Sequence, residues 1–472
     1  MLCDRPRYAC GLASVLPLRA TNRSEPEESR ATSLAAIREA DCASGIQGRL
    51  RNTGLCAMRI SLDSLRPMAI SLFLLVMPAA RLAAQTQVPA PAPQDEEIDV
   101  TDLIRVWRHK EAAPPSIEPG HKMIVAAPII GSNPSAGFLV GVAAQMAVYR
   151  GDPSTTRISS GIASLSISTK KQVLFNVRFD SYSDGNRWFL EGDNRFQKTS
   201  QNVYGFGTST PTAAAVATDY GFVRVHETLY RQAAKDVYVG GGFLFDSHTS
   251  VGPANASDPA WPTSPYITYS QQHGLPTDSQ QSAGFSVNLL LNRRDNDINA
   301  RRGWRVDANY RASFEGFLGA DSSWQEFDGD ARLYVSLDAA SRHRLAFWSY
   351  VSVVTNGVAP YFDVPATVMD TYGRSARGYQ EGRYRGEQLA YAEVEYRGTL
   401  TRNGLLGAVA FATMTTVSNH ETGETLFDSV APAAGGGLRL LLNKHSRTNL
   451  CVDLAWGKAS SSGVYLAIQE AF

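Results

Sequence analysis

Apolar and polar residues alternate with a period of two along most of the chain beyond residue 121. Val173, Phe175, Val177 and Phe179 interleave with Asn176, Arg178 and Asp180. Phe285, Val287, Leu289 and Leu291 interleave with Ser286, Asn288 and Asn292. Trp304, Val306, Ala308 and Tyr310 interleave with Arg305, Asp307, Asn309 and Arg311. The same holds for Phe327, Ala331, Leu333 and Val335, and for Leu450, Val452, Leu454 and Trp456. A period of two puts one residue set on each face of a strand, whereas a helix would repeat its apolar positions at three and four. The pattern predicts sixteen strands: 121–130, 136–149, 157–168, 172–182, 187–196, 220–231, 236–246, 284–293, 303–313, 325–335, 343–354, 388–398, 404–417, 434–443, 448–457 and 463–472.

Alternation alone also describes a soluble sandwich, whose outer face is polar. Here many strands carry several charges on the polar face, and no second apolar sheet remains to cover the other. A closed barrel with hydrocarbon outside and a wet lumen satisfies both faces and leaves no open edge. The expected fold is all-β: a sixteen-stranded antiparallel transmembrane β-barrel of the outer membrane over 121–472, preceded by a short periplasmic segment. The long connections 197–219, 247–283, 355–387 and 418–433 are all odd-numbered, and the short ones 183–186, 232–235, 399–403 and 444–447 are even-numbered. Long loops on one rim and short turns on the other are the asymmetry of outer-membrane barrels. Val464, Leu466, Ile468 and Phe472 share one register, broken by Glu470. An alternating strand ending in an aromatic residue resembles the signal read by the outer-membrane insertion machinery.

Composition narrows the function classes. Lys+Arg and Asp+Glu each number 45 in 472 residues, so the net charge is zero. This argues against a nucleic-acid partner, which a basic chain would serve. The mean hydropathy of −0.20 excludes a polytopic helical membrane protein. The run Met68–Met77 is apolar, follows Arg59 and Arg66, and precedes Leu82-Ala83-Ala84. It is too short to span a hydrocarbon core of ~30 Å and reads as a secretory signal peptide over 58–84. A signal peptide belongs at a start, so residues 1–57 read as an over-extended start absent from the mature protein. Four of the five cysteines lie in 1–57 and only Cys451 beyond it, which leaves no intramolecular disulfide. Residues 85–120 read as a periplasmic tether, Pro/Ala/Gln-rich at first, with Val100, Leu103, Ile104 and Trp107 at helical spacing.

Sharper motifs lie at 355–398. Ala376-Arg377-Gly378-Tyr379, followed by Gln380-Glu381-Gly382-Arg383-Tyr384-Arg385-Gly386, resembles the Arg-Gly-Phe/Tyr motif of the BamA/TamA superfamily of bacterial surface antigens. The resemblance places this motif in the sixth extracellular loop, folded back into the lumen. Arg294-Asp295-Asn296 with Arg302-Gly303-Trp304, Glu393-Val394-Glu395-Tyr396-Arg397, and Gly435-Gly436-Gly437-Leu438-Arg439 with Asp453 resemble further segments of the family. The similarity covers roughly 121–472. Two departures stand out. Phe411-Ala412-Thr413-Met414-Thr415 replaces the family's Phe-x-Asp-x-Gly, so Thr413 stands where the loop arginine's carboxylate belongs. The 36 residues of 85–120 are about half of one periplasmic POTRA module, which implies a stand-alone barrel. A guanidinium inside a lumen must find carboxylates. By strand parity the candidates are Glu393 and Glu395, with Asp328 or Asp330 across the lumen.

Enzyme motifs are absent from the sequence. There is no Gly-x-Ser-x-Gly elbow, His226-Glu227 lacks the second histidine of a zinc helix, and the glycine runs lack the Lys-Ser/Thr of a phosphate loop. The expectation is a protein with no catalytic role, no metal and no cofactor. The resemblance implies a barrel that assists insertion or translocation of polypeptide or lipid at the outer membrane of a Gram-negative bacterium. The physical lever would be a weakly paired seam between first and last strands, with Pro128 weakening the first. A passive structural barrel or small-solute pore is the alternative. The expected partners are outer-membrane lipid and lipopolysaccharide, the insertion machinery that would read Leu466, Ile468 and Phe472, and a polypeptide or lipid client that the sequence does not identify.

Overall fold

The computed structural model describes residues 97–109, 118–133, 137–371 and 373–472. The readings of 1–57 and 58–84, and the first part of the tether, fall outside the described residues. Among the described residues one helix precedes the barrel. Asp99 opens α1 (Val100–Trp107) with a capping box, accepting from the Asp102 amide at 2.8 Å while Asp102 accepts from the Asp99 amide at 3.3 Å. The same carboxylates hold the helix to the barrel. Lys444 donates its amide to Asp99 at 2.7 Å, and its ammonium meets Asp102 at 2.8 Å.

Sixteen strands follow: β1 (Lys122–Asn133), β2 (Gly137–Val148), β3 (Ser159–Ser168), β4 (Val173–Tyr182), β5 (Trp188–Val203), β6 (Val216–Ala234), β7 (Val237–Pro253), β8 (Gln280–Asn292), β9 (Gly303–Ser313), β10 (Trp324–Ser336), β11 (His343–Gly357), β12 (Gln388–Thr399), β13 (Leu406–Val417), β14 (Ala431–Asn443), β15 (Thr448–Gly457) and β16 (Ser462–Ile468). Each pairs antiparallel with its neighbours in chain order, and β1 meets β16 to close the barrel. No described helix is long and apolar enough to cross a membrane. Burial is inverted relative to a soluble protein. On β8, Val287 and Phe285 are 68% and 51% exposed, while Ser286 and Asn288 between them are buried in the lumen. Period two therefore sorts apolar side chains outward and polar ones inward.

Several strands depart from the expected spans, β5, β6 and β7 by the most. Residues 197–203, 216–219 and 247–253 extend β5, β6 and β7 well past the predicted ends. Gln197-Lys198-Thr199-Ser200-Gln201-Asn202 is polar on both faces, so the two-residue signal vanishes although the backbone ladder continues to Val203 opposite Val216. The last strand is the reverse case. It stops at Ile468 rather than running to 472, because Gln469 takes φ +76° and turns the chain inward. Phe472 therefore does not continue the outward register. It is buried inside the barrel against Trp348, with ring centroids 5.2 Å apart.

Candidate functional site

Two features converge where β12 to β16 return to β1: a loop arginine inside the lumen and an incompletely sewn seam. The connection 358–387 folds into the barrel. Its turn at Gly378 has φ +103°, and a Cβ there would lie 3.1 Å from that of Ala433 and 3.2 Å from the Gly457 nitrogen, so only glycine fits. Neighbouring bonds pin this tip to the last strands. The Gly378 amide donates to the Tyr465 hydroxyl at 2.8 Å, Ser461 Oγ donates to the Gly378 carbonyl at 2.6 Å, and Tyr379 Oη donates to the Pro432 carbonyl at 2.5 Å.

Arg377 is 3% exposed, so its charge must be answered within the protein. Nη1 meets Asp453 at 2.7 Å, and Nη2 meets Glu395 at 2.5 Å and also Glu393. The guanidinium lies 3.5 Å above the Phe411 ring. The replacement at Thr413 is thus answered by a cross-strand neighbour: Glu393 stands directly opposite Thr413, and Glu395 directly opposite Phe411. The Thr413 hydroxyl is buried without a partner. The cluster continues through Arg397 to Glu395 at 2.5 Å, Arg439 to Asp453, and Arg439 to Glu470 at 2.7 Å. Three guanidiniums thus interlock with four carboxylates, and Arg377, Arg439, Glu395 and Asp453 each bridge more than one partner.

Asp328 and Asp330 do not join this cluster. Asp328 pairs with Arg311 at 2.8 Å, and Asp330 with Arg332 at 2.8 Å and the Trp348 indole at 2.9 Å. Arginines on their own or the adjacent strand reach them first, since i and i+2 on one strand share a face. Arg374, three residues before Arg377, was not singled out in the sequence. It donates to the carbonyls of Ile468 and Gln469 at 2.8 Å each, and to that of Glu470. Arg397 adds a bond to the Phe472 carbonyl at 2.9 Å. The inward turn of 469–472 is therefore held by the loop and by β12. Its sequence signal was Glu470, whose break in register marks a residue that faces Arg439 rather than lipid.

Among the described residues the seam carries one paired position, Ser132 opposite Val464. Between β1 and β2, by contrast, the ladder runs unbroken from Lys122–Val148 to Asn133–Gly137. Below Ser132 the end of β16 passes inside β1. Ile468 and Leu450, outward by parity, pack on Ala127 and Ala143 of the lumen face, beside Val125 and Ile129. This overlap explains why β1 is apolar on both faces, with Ile124 64% exposed outside. A cavity of about 420 Å³ lies at the overlap, bordered by Ile129, Gly131, Tyr465, Leu466, Arg377 and Asp453. Within the docked loop, Asp363 accepts from Ser282 Oγ at 2.5 Å. Burial, and then the neighbouring Asp246 carboxylate, push Asp363 up to about 7.

No protein-family model matches the chain, and no curated protein matches it. Solved structures do. BamA from Haemophilus ducreyi lacking POTRA domains 1–3 has a TM-score of 0.46 at 14% identity, over 74% of this chain and 69% of that one. CdiB from Acinetobacter baumannii has a TM-score of 0.47 at 10% identity, over 74% of this chain and 59% of that one. CdiB from Escherichia coli has a TM-score of 0.45 at 9% identity, over 73% and 61% respectively. The chain is thus similar to outer-membrane barrels of the BamA and CdiB kind, and spans about three fifths of the CdiB chains it matches.

Proposed function

We propose that this protein is an outer-membrane β-barrel of the BamA/TamA type whose seam helps insert or translocate a polypeptide or lipid client. The observation that carries this reading is the edge of β1. From Lys122 to Gly131 it pairs with β2 on one side, while its other side lacks a ladder to β16. An unpaired strand edge is a template for another strand, because its N–H and C=O groups gain partners when one is added. Inside hydrocarbon the drive is stronger, since no water competes for those groups. The exposed apolar outer face supports the membrane setting. The buried loop around Arg377, Tyr384 and Arg385, which occupies the lumen, weighs against the small-solute pore.

The test locks the seam. Ser132 and Val464 stand opposite in an antiparallel pair, whose Cα spacing of roughly 4.5–5.5 Å suits a disulfide. In the native host depleted of the wild-type protein, Ser132→Cys with Val464→Cys should restore outer-membrane protein or lipid content when reduced and fail when oxidised. Measuring protein and lipid separately identifies the client class. Full function of the oxidised form would leave the passive barrel as the better reading.

A further inference from the structure

At the turn rim, below the Arg377 cluster, lies a second cavity of about 350 Å³. This is near the lower end of ordinary ligand pockets, roughly 300–1,000 Å³. Its lining is unusually basic. Arg344, Arg397 and Arg439 come from the strands, and Arg301, Arg342, Arg402 and Arg447 from the turns, against two carboxylates, Glu97 and Glu470. Part of this charge is answered: Arg439 by Glu470 at 2.7 Å, Arg301 by Glu97 at 2.6 Å, and Arg447 by Asp295 at 2.7 Å.

Two of the arginines have donors with no acceptor. Arg344 and Arg397 stand directly opposite each other on β11 and β12, an arrangement of like charges that is unfavourable. Arg397 is 2% exposed; its Nε and Nη2 are used on Glu395 and the Phe472 carbonyl, and its Nη1 is buried without a partner. Arg344 makes no hydrogen bond or ion pair to any described residue, and its Nε is likewise sealed without an acceptor. The charges that face it are Arg397, Arg301 and Arg447, with Glu470 the only carboxylate among its main neighbours. Buried donors of this kind are ordinarily satisfied. Planar guanidinium forks matched in pairs suit the oxygens of a tetrahedral anion.

We infer that this cavity is a binding site for a phosphate group, with Arg344 and Arg397 as the recognition pair. Glu97, from the segment that leads into α1, occupies its rim through Arg301 and acts as an internal competitor. The ligand's phosphate comes either from a free phosphate compound or from the headgroup of an anionic phospholipid. The site is separate from the seam, so it stands or falls independently of the assembly reading.

The experiment uses the full chain in a neutral detergent. Thermal unfolding is followed with inorganic phosphate or pyrophosphate against chloride at equal ionic strength. Phosphate should raise the midpoint by on the order of 2–5 °C for the wild type. Arg344→Gln should fold, because it removes an unpaired charge, and should lose that shift. Glu97→Gln should enlarge it. An equal shift in all three proteins, or none in any, overturns the proposal. A second arm places the protein in bilayer discs of phosphatidylcholine, with or without phosphatidylglycerol. Loss of the phosphate response only in phosphatidylglycerol discs assigns the site to a lipid headgroup. An undiminished response assigns it to a soluble phosphate compound.

Discussion

The wall from β5 to β7 and the seam from β16 to β1 are made of the same kind of alternating strand, yet they hold together differently. β5 pairs with β6 from Trp188–Arg231 to Val203–Val216, and β6 pairs with β7 nearly to its ends. Beneath the wall Tyr182 stacks on Phe189 at 4.4 Å, and Phe189 on Tyr230 at 5.3 Å. Among the described residues the seam has one paired position, a proline at 128 with no N–H to give, and an apolar overlap where β1 runs from Lys122 to Gly131. The wall is held by directional bonds along its whole length. The seam is held by packed apolar side chains and by a loop that clamps the last residues. Closure of a barrel is thus separable from pairing at its seam, and the free backbone groups are gathered at one place.

Hydrogen exchange should expose this contrast most strongly. Half of the β1 amides, those directed away from β2, should exchange roughly a thousandfold faster than the central amides of β6, in a period-two pattern. Uniform protection along β1 would mean that the seam is closed in solution. The clamp comes next in size. Arg377→Ala leaves three buried carboxylates with one cation fewer, a loss of about 3–5 kcal/mol in docking of the loop. Limited proteolysis should then cut within 358–387, while the barrel and the β5–β7 wall stay folded.

The pH response of the same loop is smaller. Asp363 binds its proton more tightly in the folded chain, at about 7, than in an unfolded one, near ~3.9. Between those values the docked form holds the extra proton, so docking weakens as pH rises from about 4 to 7 and is weakest above 7. Asp246, His248, Arg224 and Arg385 face the same group. Loop proteolysis followed against pH should show this trend, and Asp363→Asn should flatten it. The smallest effect belongs to Thr413. Its hydroxyl has no partner, so Thr413→Val should change thermal stability by less than about 1 kcal/mol, neutral or favourable. A loss of several kcal/mol would show that the hydroxyl serves the cluster after all.

Parts of the site were legible for a plain reason. Glu393 and Glu395 follow from parity on one strand, and a lumen arginine must find carboxylates. The same parity also nominated Asp328 and Asp330, because alternation gives the face of a residue but not its position around the barrel. Asp453 closes on Arg377 across 76 residues of sequence, a distance that no periodicity reports. Phe472 fitted an outward register by spacing, and only the positive φ at Gln469 turned it inward.

The sequence by itself determined the strands, their number and their inward and outward faces, since each follows from local alternation of side chains along an extended backbone. It also marked Arg377 as a charge needing company. The tertiary structure alone decided which carboxylates answer that charge and where the polar strands β5 to β7 end. It also decided that β16 slips inside β1, and that Arg344 stands directly opposite Arg397. Those outcomes depend on which strands curl round to face one another, and burial then makes each mismatch of charge or pairing too costly to leave to chance.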